Sequence, residues 1–101
     1  MDSETIGMIQ QYLDTYIKDK IISRNIEMWM KVKENGSIDS EKSAIIGQLY
    51  GGALRLYSNT QGYEEKTIHP DDLHQFNDLF ISRLDGLEQK VETVLNKNGK
   101  K

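Results

Sequence analysis

The chain has 101 residues, with 13 Lys plus Arg against 16 Asp plus Glu, no Cys, one Pro and a formal charge of −3. One globular domain is the expectation at this length. The composition excludes a disulfide framework, a zinc–thiolate cluster and a thiol nucleophile, and the net negative charge argues against a dedicated duplex-binding protein, which needs many cations to neutralise phosphates.

Leu, Ile, Val and Phe together number 25, above the roughly one-fifth share below which a chain rarely buries enough apolar surface to fold. Apolar runs stop at three residues, far short of the roughly 18 needed for a membrane span. Residues 1–10 lack the basic start and apolar centre of a signal peptide. A cytoplasmic protein with no membrane partner is the expectation. The charge is unevenly spread. Lys18, Lys20, Arg24, Lys31 and Lys33 make 18–33 basic, whereas seven acidic residues fall between 64 and 88, so the two stretches attract each other within one bundle or across a dimer.

The first periodic segment runs from about 3 to 34, with Ser3 as the expected cap and Glu4 suited to the helix dipole. Ile6, Ile9, Leu13, Tyr16 and Ile17 recur at helical spacing and make one stripe. Beyond Lys20 and Arg24 the apolar residues occupy two faces, Ile21, Met28 and Val32 on one and Ile22, Ile26, Trp29 and Met30 on the other. Either the helix bends between 19 and 25, or more than one neighbour covers its second half. The 35–40 stretch, Asn-Gly-Ser-Ile-Asp-Ser, then supplies the positive-φ stop of a helix C-terminus.

The second segment spans about 41 to 58, capped by Asp39 or Ser40, and its broad apolar arc from Ile45 to Tyr57 predicts the most buried helix of the three. Beside that arc lie Ala44, Gly47 and Gly51, with Gly52 next to them. A glycine inside a helix costs about 1 kcal/mol relative to alanine, so Ala44, Gly47 and Gly51 are expected to mark close helix packing. The 59–62 stretch predicts a turn, and 63–66 a helical turn of its own. At His69-Pro70-Asp71-Asp72 a proline in the first turn, followed by two carboxylates, opens the third helix, expected over 70–97. Its stripe from Leu73 through Phe76, Phe80, Leu84, Leu87, Val91 and Val94 is a packing seam. Residues 1–95 are expected to form the domain and 96–101 a frayed basic tail.

These segments predict an all-α protein, a small antiparallel bundle of three main helices with two long and one short central. The three would be about 46, 26 and 42 Å long. This mismatch leaves apolar stripe uncovered, so a homodimer is expected, or else a bend in the first helix that makes four helices of three segments.

Catalytic and metal motifs are missing. Asp71, His74 and Asp78 share one helix face, but capping and an i,i+4 ion pair explain them without a ligand. No cofactor, metal or catalytic residue is assigned. The segment around Ile22, Ile26, Met28, Trp29 and Met30 carries the most functional content, because Trp supplies large contact area at interfaces and Met repacks around varied partners. These five residues are the expected partner-binding surface, for a second copy of the chain or for another protein. The overall expectation is a non-catalytic protein–protein interaction module. Its alternatives are a nucleic-acid-associated regulator using the basic strip, and a small ligand carrier or enzyme with a pocket beside Gly47 and Gly51.

Overall fold

A computed structural model describes residues 2–36, 38–61 and 68–99, apart from the side chains of 61, 98 and 99. It is all-helical, with no strand among the described residues. Four helices follow in order, α1 (Ser3–Tyr16), α2 (Asp19–Glu34), α3 (Glu41–Gln61) and α4 (Pro70–Gly99). The expected count of three is therefore corrected to four.

The extra helix arises because the first segment breaks at Ile17 and Lys18, just ahead of the expected bend. Ile17 still donates its N–H to the Leu13 carbonyl, and Lys18 then turns extended at φ −63°, ψ 144°. Neither glycine nor proline causes the break. The buried residues explain it: Ile9 and Leu13 in α1, and Ile22 and Ile26 in α2, are all 0 or 1% exposed. On an unbroken helix at 100° per residue, the two pairs would point roughly 140° apart. Two non-helical residues re-phase the chain so that both pairs face one core.

The caps show how each helix starts. Asp2, rather than Ser3, caps α1, its carboxylate accepting from the Thr5 N–H at 2.7 Å. Ser40 caps α3, accepting from the Ser43 N–H at 3.2 Å. His69 does the same for α4, its Nδ1 accepting from the Asp71 N–H at 3.2 Å, with Pro70 in the first turn where no donor is needed. After α2 the chain reverses at Gly36, whose φ of +77° lies in the region that glycine tolerates best.

Two helix ends lie beyond their expected limits. Helix α3 runs through Asn59 and Thr60, where a turn was expected, and the Thr60 hydroxyl donates to the Leu56 carbonyl at 2.8 Å inside the helix. At 21 residues α3 is also longer than α1 or α2, so the central helix is not the short one. Helix α4 continues past 95 to Gly99, and the Lys97 ammonium lies 3.9 Å from Asp19. The helical turn expected at 63–66 falls outside the described residues.

Pairs between helices set the alignment. Lys42 meets Glu92, Tyr50 meets Asn77 and Tyr57 stacks on Phe76, so partners on α4 retreat as α3 advances. Arg83 meets Asp14 and Lys90 meets Asp19, so α1 and α2 advance together with α4. The core between them is dominated by Ile, Leu and Val, with an aromatic end at Tyr50, Tyr57, Phe76 and Phe80. Tyr50 sits edge-on to Phe76 and Phe80 at 5.4 and 5.2 Å, the arrangement that ring quadrupoles favour.

Candidate functional site

The five residues expected to form one partner surface are separated by the fold. Ile22 and Ile26 are both 0% exposed and belong to the core, because α2 turns its apolar centre inward once it is re-phased. They are removed from the candidate surface. Trp29 is half-buried against that core and its indole N–H donates to Gln48 Oε1 on α3 at 3.1 Å. This bond is a reason for Trp29 to sit where it does without any partner. Met28 and Met30 remain exposed, but two residues apart on a helix they lie on opposite flanks of Trp29. The sequence therefore names two separate methionines, not one Met-Trp-Met platform.

Gly47 and Gly51 also stand differently from expectation. A Cβ built on Gly47 or Gly51 would meet nothing within 4 Å, so none of the described helices packs closely on either. The close approach occurs at Gly52, where a Cβ would lie 1.7 Å from the Tyr12 hydroxyl and 2.7 Å from Cζ. Tyr12 thus lays the tip of its ring on bare α3 backbone. Burial, with a smaller contribution from Tyr16, holds its phenol above the usual pKa despite the opposing pull of Arg55. Sequence reading missed this contact. The only signal was a third glycine beside the Gly-x-x-x-Gly pair, one helix position closer to the core.

What lies over Gly47 is a groove of about 360 Å³ between α3 and α4, lined by Lys42, Ser43, Ile46, Gly47, Leu84 and Glu88. Along the same face of α4, one turn before Leu84, Ile81 is 62% exposed. Lys42 sits at one end, 2.6 Å from Glu92 and 3.7 Å from Glu88. These carboxylates raise its pKa, chiefly through the Glu92 hydrogen bond.

A second recess forms where α1 breaks from α2. It holds about 260 Å³ and is lined by Tyr12, Tyr16, Ile21, Arg24, Asn25, Gln48 and Leu49. A shallower groove lies on the other side of Tyr12 and Tyr16, against Met8 and Leu56.

The remaining candidates are dispersed. His69 lies 3.8 Å from Asp71 and His74 lies 3.9 Å from Asp78, all of them well exposed. Among the described residues, no three His, Asp or Glu side chains gather in a way that could hold a metal ion. In the basic strip, Lys33 pairs with Glu41 at 3.1 Å. Lys20, Arg24 and Lys31 lie on the exposed arc of α2, without an ion pair among the described residues. At the start of α2, the hydrogen bond from Lys90 pulls the Asp19 carboxyl below its usual pKa. No helix, among the described residues, is long and apolar enough to cross a membrane.

No protein-family model matches the chain, and no curated protein or solved structure matches it either.

Proposed function

We propose that the chain is a non-catalytic helical interaction module of a cytoplasm-like compartment, working as a homodimer joined through the outer face of α3 and α4. The observation that carries this reading is Ile81, 62% exposed on the same face as Leu84, Ile46 and the uncovered Gly47. An exposed isoleucine beside a partly apolar groove offers area that a partner can cover. Gly47 and Gly51 leave the α3 backbone bare beside it, which permits the close approach of another helix. The packing that the small residues suggested is thereby transferred from within the chain to between chains.

A second copy is the occupant because the face carries a cation at one end and a carboxylate at the other. Lys42 stands with Glu88 and Glu92 at one end, and exposed Asp78 lies at the other. A two-fold axis through the middle of the face brings opposite ends together, so Lys42 approaches Asp78 of the partner subunit. An open groove beside Gly47 is a poor substrate enclosure, and Gly51 does not line it.

Sedimentation equilibrium tests the proposal. The expected mass at tens of micromolar is twice the 11.6 kDa of one chain, and Ile81→Glu or Gly51→Leu should yield a helical monomer. A wild-type monomer, or a dimer indifferent to both substitutions, overturns it.

A second reading has one observation in its favour, Lys20, Arg24 and Lys31 on the outer arc of α2 without an ion pair among the described residues. It makes the chain a nucleic-acid-associated regulator. Binding to mixed DNA and RNA fragments that weakens steeply with added salt would support that reading over the first.

A further inference from the structure

We propose that the recess at the joint between α1 and α2 is a binding site for a small aromatic carboxylate. The joint itself creates the space. Where Ile17 and Lys18 leave the helical path, α1 and α2 cease to be a continuous wall against α3, and a recess of about 260 Å³ opens between Tyr12 and Tyr16 on one side and Arg24, Asn25 and Gln48 on the other. That volume suits one ring and one small polar group, and falls below the range typical of larger ligands.

Its polar lining consists of hydrogen-bond donors in excess. Among the described residues no carboxylate lines the recess, although the chain as a whole carries a charge of −3. Arg24 makes no ion pair among the described residues, and the Asn25 side chain makes no hydrogen bond among them. Gln48 is oriented by Trp29. An indole N–H only donates, so it fixes the amide with Oε1 toward Trp29 at 3.1 Å. The two Nε2 hydrogens of Gln48 are left over. A guanidinium and two carboxamides with spare donors match a carboxylate, which accepts on both oxygens and pairs with Arg through two parallel hydrogen bonds.

The remaining wall selects the body of the ligand. Tyr12 and Tyr16 have ring centroids 4.5 Å apart, tilted by 33°, and Ile21 and Leu49 complete the lining. A flat ring packs against such a wall, and an aliphatic acid would leave it in contact with water.

Benzoate is the probe, with acetate testing the need for a ring and benzyl alcohol testing the need for charge. Binding is followed through Trp29 emission, which reports on the Gln48 contact, and through the side-chain amide resonances of Asn25 and Gln48. Saturable binding of benzoate is expected at about millimolar concentration, as suits so small a ligand. Acetate and benzyl alcohol should each bind at least tenfold more weakly. Arg24→Gln and Tyr16→Ala both change exposed residues, so circular dichroism should show retained helicity while benzoate affinity falls tenfold or more. No saturation by benzoate, equal binding of benzyl alcohol, or affinity unchanged in Arg24→Gln overturns the proposal. The recess shares no lining residue with the groove over Gly47, so benzoate binding and oligomeric state are read as separate outcomes.

Discussion

Gly52→Ala separates an internal close contact from an external one, and its outcome follows from opposing effects of known size. Replacing a mid-helix glycine by alanine ordinarily stabilises by about 1 kcal/mol. At Gly52 the new methyl would overlap the Tyr12 hydroxyl at 1.7 Å and Cζ at 2.7 Å. The ring has to leave α3, and an overpacked contact of this kind costs about 1 to 3 kcal/mol. The net effect expected is a loss of between zero and about 2 kcal/mol. In the Ile81→Glu background, where the proposed dimer contact is removed, Gly47→Ala and Gly51→Ala meet nothing within 4 Å and should each gain about 0.5 to 1 kcal/mol. Thermal denaturation resolves these differences, since 1 kcal/mol moves the midpoint of a domain this size by about 4 to 8 °C. In a Tyr12→Ala background the obstacle is gone, so Gly52→Ala should become stabilising, with a coupling of about 1 to 3 kcal/mol across the cycle. If Gly52→Ala raises the midpoint of Ile81→Glu as much as Gly47→Ala does, Tyr12 does not lie on Gly52 and the assignment fails.

Leu49→Asp places a carboxylate at a site 4% exposed and should abolish the cooperative melt, whereas Leu84→Asp at the half-buried rim should leave a folded protein about 1 to 2 kcal/mol less stable. Trp29 emission should be blue-shifted and unchanged on dilution, because its hydrogen bond is to Gln48 of the same chain. Trp29→Ala should cost about 2 to 4 kcal/mol, at or just under the range for fully buried aromatics. Asp19 has a lowered pKa, chiefly from its hydrogen bond with Lys90. Its contribution is present above the ordinary carboxylate pKa of 3.8 and is lost as pH falls through the lower folded value. Asp19→Asn should therefore lower the midpoint slightly at neutral pH, by less in high salt, and the difference from wild type should vanish in strong acid.

Helix type was legible in the sequence because three- and four-residue spacing is a local property. The stripe from Leu73 to Val94, the Pro70 start and the Gly36 stop all stand in the structure at or close to the expected positions. The break at Ile17 and Lys18 was harder to place, since no Gly or Pro marks it. Its trace was the divergence of apolar residues onto two faces, and only the roughly 140° phase difference between the Ile9–Leu13 and Ile22–Ile26 pairs fixes where the chain must yield. The site was less legible. Ile22 and Ile26 looked like surface because the sequence left open whether the first segment bends, and Trp29 looked like an interface because its bond to Gln48 joins residues 19 apart. Gly47, Gly51 and Gly52 are alike in sequence. Which of them faces Tyr12 depends on how α1 crosses α3, a tertiary fact that spacing does not encode.

The joint between α1 and α2 also divides the molecule into parts that need not open together. Helix α1 is 14 residues long, too short to persist alone in water. Ile9, Leu13 and Tyr12 hold it to the core, and the Asp14–Arg83 ion pair joins it to α4. Peeling it away exposes that small set of contacts while leaving α2, α3 and α4 packed. Amide protons of α1 should accordingly exchange with solvent through a partial opening of lower free energy than full unfolding, whereas those at the centres of α3 and α4 await the global event. The recess between Tyr16 and Arg24 lies on the hinge of that opening. A molecule seated there would bridge the two parts, and its binding would be registered as slowed exchange throughout α1, including residues it never touches.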